Sequence, residues 1–134
     1  MEVKAFNENG RVPVTVMHVD GNIDSSTYEV FKAKADELIA GGARYILVDL
    51  SHVKFVSSAG FRVFNELFNK LRSLNPDTQL NEEDVKKGIS AGTYKSPHLK
   101  LLNLPDEARN AFRFAGFDLF IETFTDLKTA IASF

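Results

Sequence analysis

The chain contains no cysteine. That excludes disulfides and thiolate metal centres, and it fits a reducing compartment, so a cytoplasmic location is expected. No apolar run approaches the roughly 18 residues of a membrane span, and the opening Met1-Glu2-Val3-Lys4-Ala5-Phe6 lacks the apolar core of a signal peptide. No membrane role is expected. Long basic runs are missing too. The chain sets 16 basic residues against 18 acidic ones, for a net charge of −2, so direct nucleic-acid binding is a poor reading. His18, His52 and His98 show no helical metal spacing, and no glycine-rich phosphate loop precedes a lysine. Neither a metal nor a cofactor is expected. Ser58 stands two residues before Gly60, but Val56 occupies the place where a nucleophile elbow needs glycine for its strained turn. The residues therefore give no reason to expect an enzyme.

What is present suits one compact domain: 134 residues, 44% of them hydrophobic. The chain is organised around Ile46 to Phe64. Ile46 to Leu50 is a short apolar run with the length of a buried strand, and Ser51 to Val56 reads as a crossing loop. From Ser58 onward, Phe61, Phe64, Leu67, Phe68 and Leu71 recur at the spacing of an amphipathic helix. A pair of serines thus sits where a strand hands over to a helix N-terminus, with its unpaired N–H groups and positive dipole end. Serines in that place are most often plain caps. Asp49, at the strand's end, more often hydrogen-bonds a loop than binds a ligand, and Asp24 reads likewise as a residue that opens a helix.

The rest of the chain alternates strand and helix. Val3 to Phe6 and Arg11 to Val19 read as strands, joined at Asn9-Gly10, with Pro13 near an edge or a strand's start. Ser26-Thr27-Tyr28-Glu29 has the spacing of a capping box. The helix it opens carries Tyr28, Phe31, Ala35, Leu38 and Ile39 on a core-facing stripe and stops at Gly41-Gly42. Leu99 to Leu102 is a short strand. Pro105 opens a helix with Ala108, Ala111, Phe112 and Ala115 inward, Leu119 to Ile121 is a last strand, and a short helix begins near Thr125. This order predicts an α/β domain, a mixed central sheet of four or five strands with about four helices packed on it. Residues 74–97 break the rhythm. They hold a turn at Asn75-Pro76-Asp77, one or two exposed helical turns from Asn81, and about 20 residues more than a usual connection needs. They read as a polar surface insertion in a single domain spanning 1–134. The insertion should emerge at the pole opposite Ser58, because the helix before it is about 22 Å long.

The run Val48-Asp49-Leu50-Ser51-His52-Val53, followed by Phe55-Val56-Ser57-Ser58-Ala59-Gly60-Phe61, resembles the signature of STAS domains. These are the bacterial anti-sigma factor antagonists and the soluble domains of sulphate transporters. Gly21-Asn22-Ile23-Asp24 and the Leu99 to Ala130 tail resemble the family in pattern. In the antagonists a partner kinase phosphorylates the serine two residues before the glycine, which corresponds to Ser58. The family often has an acidic residue just before it; this chain has Ser57, the second choice of acceptor. The resemblance implies a phosphorylation-controlled binding switch. The unmodified form would bind an anti-sigma serine kinase through Asp24, Ser57, Ser58, Ala59, Gly60 and Phe61 and so release a sigma factor. A serine phosphatase would reset it, and a homodimer is allowed. The alternative that the resemblance leaves open is a STAS scaffold or transporter-associated module that is never phosphorylated.

Overall fold

The computed structural model describes residues 1–74 and 82–134. Five strands form one mixed sheet in the order β1-β2-β3-β4-β5. They are β1 (Glu2–Asn9), β2 (Pro13–Asp20), β3 (Ile46–His52), β4 (Leu99–Leu102) and β5 (Thr123–Phe124). β1 runs antiparallel to β2, and every other pairing is parallel. The described α-helices are α1 (Tyr28–Ala40), α2 (Ser58–Leu74), α3 (Glu82–Ala91), α4 (Asp106–Phe114) and α5 (Leu127–Ser133).

The strand pattern dictates the layers. Successive side chains of β3 point to opposite faces, and Ile46, Leu47, Val48 and Leu50 are all buried, so both faces must be covered. On one face Met17, Val48 and Leu101 meet Phe31 of α1, Phe64 of α2 and Phe112 of α4. On the other, Val14, Val16, Leu47 and Leu102 meet Ala130 and Ile131 of α5. Lys100 lies on this second face, 3% exposed. Its ammonium donates to the Ser133 carbonyl (2.8 Å) and hydroxyl (3.0 Å) and pairs with Glu122 (3.3 Å), pinning the end of α5 to the sheet. A buried cation persists only with such partners.

The fold expected from the sequence is present, with local differences that have physical reasons. The first hairpin has no Asn9-Gly10 turn. Asn9 pairs with Pro13, and Gly10 to Val12 make the loop. The capping box does not form, because the Asp24 carboxylate takes both the Ser26 N–H (2.9 Å) and the Ser26 hydroxyl (2.6 Å). α1 accordingly starts at Tyr28, with Thr27 before it. No strand runs from Leu119 to Ile121. Gly116, at φ 82°, turns Phe117–Leu119 into a 3₁₀ turn that buries Phe120 and Ile121, and the last strand is Thr123–Phe124.

Of the expected insertion, the Asn75-Pro76-Asp77 turn lies outside the described residues. α3 is longer than one or two turns and is not wholly exposed. Val85 is buried, and Ile89 and Tyr94 pack on the main core. Arg72, in the last turn of α2, holds both carboxylate oxygens of Glu82 at 3.0 Å. α3 therefore begins at the end of α2 remote from Ser58. Tyr94 returns to lie edge-on to Phe68, and the Ser96 N–H donates to the Phe120 carbonyl (2.7 Å).

Candidate functional site

β2 ends at Asp20, and the chain turns at Gly21 with φ 113°. The Gly21 N–H donates to the His52 carbonyl (3.2 Å), Ile23 N–H to Phe55 (3.0 Å) and Ser57 N–H to Ile23 (2.8 Å). The Asn22 amide oxygen accepts the Lys54 and Phe55 N–H groups, each at 3.2 Å. These bonds zip the segment after β2 along the crossing loop after β3, closing with a parallel bridge between Ile23 and Val56. The Ser57 carbonyl then accepts the Phe61 N–H (3.1 Å). Ser57 is thus the cap of α2 and Ser58 its first residue, with the remaining first-turn N–H groups lacking intrahelical partners.

The two serines differ. Ser58 is exposed. The Ser57 Oγ is covered and meets no hydrogen-bond partner among the described residues. Gly60 is buried, and a Cβ there would stand 2.7 Å from Val56 Cγ1 and 2.8 Å from Ile23 Cγ2. Only glycine lets the first turn of α2 press against that bridge. Phe61 turns inward onto Phe64 and Phe117.

An open groove of about 910 Å³ lies beside Ser58, bordered by Phe55, Phe61, Arg62, Ala111, Phe114 and Phe117. Phe114 is 96% exposed and Phe55 48%. The stripe expected to face inward on α4 divides here. Ala108 and Phe112 are buried, while Ala111 and Ala115 face the groove.

Asp24 lies next in the chain to Ile23, whose carbonyl holds Ser57, but its carboxylate is committed to the start of α1. The Ser26 hydroxyl and N–H, with further bonds from Thr27, hold it below the usual carboxylate range against the opposing effect of desolvation. Asp24 is not part of the groove lining. The structure thus brings Ser57, Ser58 and Phe61 together on the groove, places Gly60 beneath them, and leaves the Asp24 carboxylate turned to α1.

A second polar cluster lies at the carboxyl ends of the strands. β3 runs on through Ser51 and His52, and an irregular register brings His52 beside His18. Asp49 Oδ2 pairs with His18 Nδ1 (3.1 Å), and His18 Nε2 with His52 Nδ1 (3.0 Å). Burial raises the Asp49 pKa. The hydrogen bonds from Ser51 and from His18 outweigh it and hold the carboxyl below its usual range. Asn103, in left-handed backbone at φ 58°, adds its amide at 3.5 Å. The sequence showed these residues separately and gave no sign of the chain they form. For Phe114 a signal existed, a large apolar residue off the buried stripe of its helix.

Among the described residues, no helix is long and apolar enough to cross a membrane, and no group of three or more His, Asp or Glu side chains is arranged to hold a metal ion. No curated protein matches the sequence. Solved structures do match the fold. An anti-sigma factor antagonist from Mycobacterium paratuberculosis aligns with a TM-score of 0.65 at 18% identity, over 97% of this chain and 94% of that one. The anti-sigma factor antagonist SpoIIAA in its unphosphorylated form gives 0.61 at 15%, over 97% and 94%. The Bacillus cell fate determinant SpoIIAA in the phosphorylated form gives 0.63 at 18%, over 97% and 96%. Residues 5–79, the stretch that carries most of β1, all of β2, α1, β3 and α2, and the crossing loop, match the STAS domain model, so this chain is a member of the STAS domain family.

Proposed function

We propose that this protein is an anti-sigma factor antagonist whose binding is switched by phosphorylation of Ser58, with no catalytic activity of its own. The observation that carries the reading is one juxtaposition. An exposed serine at the first position of a 17-residue helix stands on the rim of an open apolar groove. The family and the antagonists of like fold point the same way.

The groove supplies the docking energy. An exposed phenylalanine flanked by alanines is the kind of anchor that dominates protein interfaces when a partner desolvates it. The partner is an anti-sigma serine kinase holding a nucleoside triphosphate. In the transfer, the Ser58 Oγ–phosphorus bond forms as the bond from the γ-phosphorus to its bridging oxygen breaks. The hydroxyl proton leaves, and the nucleoside diphosphate departs. Ser58 gains about −1.5 to −2 of charge and three acceptor oxygens. The helix N-terminus tolerates that charge. A partner surface that must desolvate it beside an apolar groove, near its own nucleotide phosphates, does not. Release follows with little change of fold, and a serine phosphatase restores the binding form. Ser58 suits this chemistry better than Ser57, whose oxygen is covered.

The test is phosphorylation and binding with the purified kinase and ATP. Wild type should be labelled on Ser58, and Ser58→Ala should not be labelled. Ser58→Asp should bind the kinase at least about 100-fold more weakly, or about 2.7 kcal/mol, with its thermal midpoint within a few degrees of wild type. Undiminished binding of Ser58→Asp would sink the reading and favour an unphosphorylated scaffold.

A further inference from the structure

Arg62 follows Ser58 by one helical turn on α2, and both border the groove. Residues four apart share a helix face. Helical side chains also lean toward the N-terminus, so the patch a residue covers lies over the turn before it. Arg62 thus shares the Ser58 face of α2, on the side of the helix that borders the groove. The other charged side chains of α2 each meet an opposite one: Glu66 meets Lys32, Lys70 meets Asp36 and Arg72 meets Glu82. Arg62 is exposed and forms no ion pair among the described residues.

An arginine with no ion pair among the described residues, on an otherwise paired helix and one turn from an exposed serine, is placed for an anion with several oxygens. A guanidinium matches a phosphate in two parallel N–H···O bonds, where a carboxylate four residues away would be the usual surface partner. We propose that Arg62 is the ligand, within the same chain, of a phosphate on Ser58. This rests on the reading of Ser58 as the modified residue. Ser57 is five residues from Arg62 and its oxygen is covered, so the pairing selects the Ser58 register.

The consequence is that modification does two things at once. Before it, the groove rim carries a free cation available to a carboxylate of the partner. After it, that cation is occupied and the rim is anionic. Arg62 is then a positioning residue: it lays the phosphate along α2, toward the groove that the partner enters. Other charges border the same region. Lys54 lies in the crossing loop, and Arg113 of α4 stands 4.0 Å from Asp118. Removing Arg62 therefore takes away only part of the field at the phosphate.

The experiment places phosphoserine at position 58 of the full chain by codon reassignment and follows the phosphate by ³¹P NMR against pH. An arginine partner favours the dianion, so the second phosphate pKa should be lower in wild type than in Arg62→Ala by about half a unit, the scale of an exposed ion pair. Arg62→Lys should recover part of the shift, and about 1 M salt should shrink it. Equal titrations of wild type and Arg62→Ala would overturn the proposal. Arg62 is exposed, so these variants should fold. The result is also independent of whether cells modify Ser58. A shift present in this protein alongside an unmodified Ser58 in cells would keep the pairing and refute the switch, and the reverse would refute the pairing alone.

Discussion

The two ends of α2 carry similar chemistry and receive opposite treatment. At the C-terminal end Phe68 lies against Phe120, 4.6 Å between ring centres, and edge-on to Tyr94. Arg72 is tied to Glu82, and α3 buries Val85 nearby. The chain has spent its own extra segment covering that end. At the N-terminal end the aromatic side chains of Phe55 and Phe114 are exposed, Arg62 forms no ion pair among the described residues, and Ser58 is exposed. Contiguous exposed apolar surface of this kind marks interaction sites in folded proteins. One end of the helix is completed within the chain; on the proposed function, the other is completed by a partner.

Substitutions can break this contrast in order of size. Phe68→Ala, at the completed end, should cost about 3–5 kcal/mol as the cavity it leaves collapses only in part. For a domain of this size that lowers the thermal midpoint by roughly 10 °C or more. Scanning calorimetry checks it, and a change below about 3 °C would mean that this end is not packed as described. Gly60→Ala should come next, at about 1–3 kcal/mol, because the new methyl would meet Val56 and Ile23 at 2.7 and 2.8 Å. An unchanged urea midpoint would show that the bridge beneath Ser58 yields freely. Phe114→Ala should move stability by less than about 0.5 kcal/mol, yet weaken partner binding by about tenfold or more. Titration calorimetry with the kinase separates the two, and a variant that binds normally would remove the groove from the interface.

The smallest effect is on pH. Burial holds the His98 imidazole below the usual histidine range, against a hydrogen bond with the Arg44 main chain. With the folded pKa depressed, the unfolded chain takes up the proton first. The stability from this group is full above the unfolded value of about 6.5 and is lost as pH falls toward the folded pKa. His98→Phe, which keeps a ring beside Tyr45, should flatten the loss of stability between about pH 7 and 5 relative to wild type. Equal slopes would show that His98 is not buried neutral. The Asp49 carboxyl has the same sign at lower pH, its contribution fading only as pH falls below about 4.

Much of this architecture was legible in the sequence, because burial leaves a period. The α2 stripe from Phe61 to Leu71 is buried as its spacing implies, and β4 falls on Leu99–Leu102 as expected. The glycines that stop α1 do so, with Gly42 at φ 111°. The misses came where long-range packing decides. A period reports that a helix has an apolar face, and not how much of it is covered. Ala111 and Ala115 looked like Ala108 in the sequence, yet only Ala108 and Phe112 are buried. The Asp49–His18–His52 chain was hidden because β2 and β3 are brought together by pairing across α1, and a register irregularity decides that His52 faces His18. The role of Gly60 as a close contact under the serines likewise depends on the Ile23–Val56 bridge, which no local pattern encodes.

The central claim is that the uncovered end of α2 is a switch operated at Ser58. Phosphopeptide mapping of the protein isolated from its own cells, under several growth conditions, tests it most directly. The account predicts a phosphorylated peptide with the phosphate on Ser58 in at least one condition. Phosphate on Ser57, or an unmodified peptide in every condition, would contradict it.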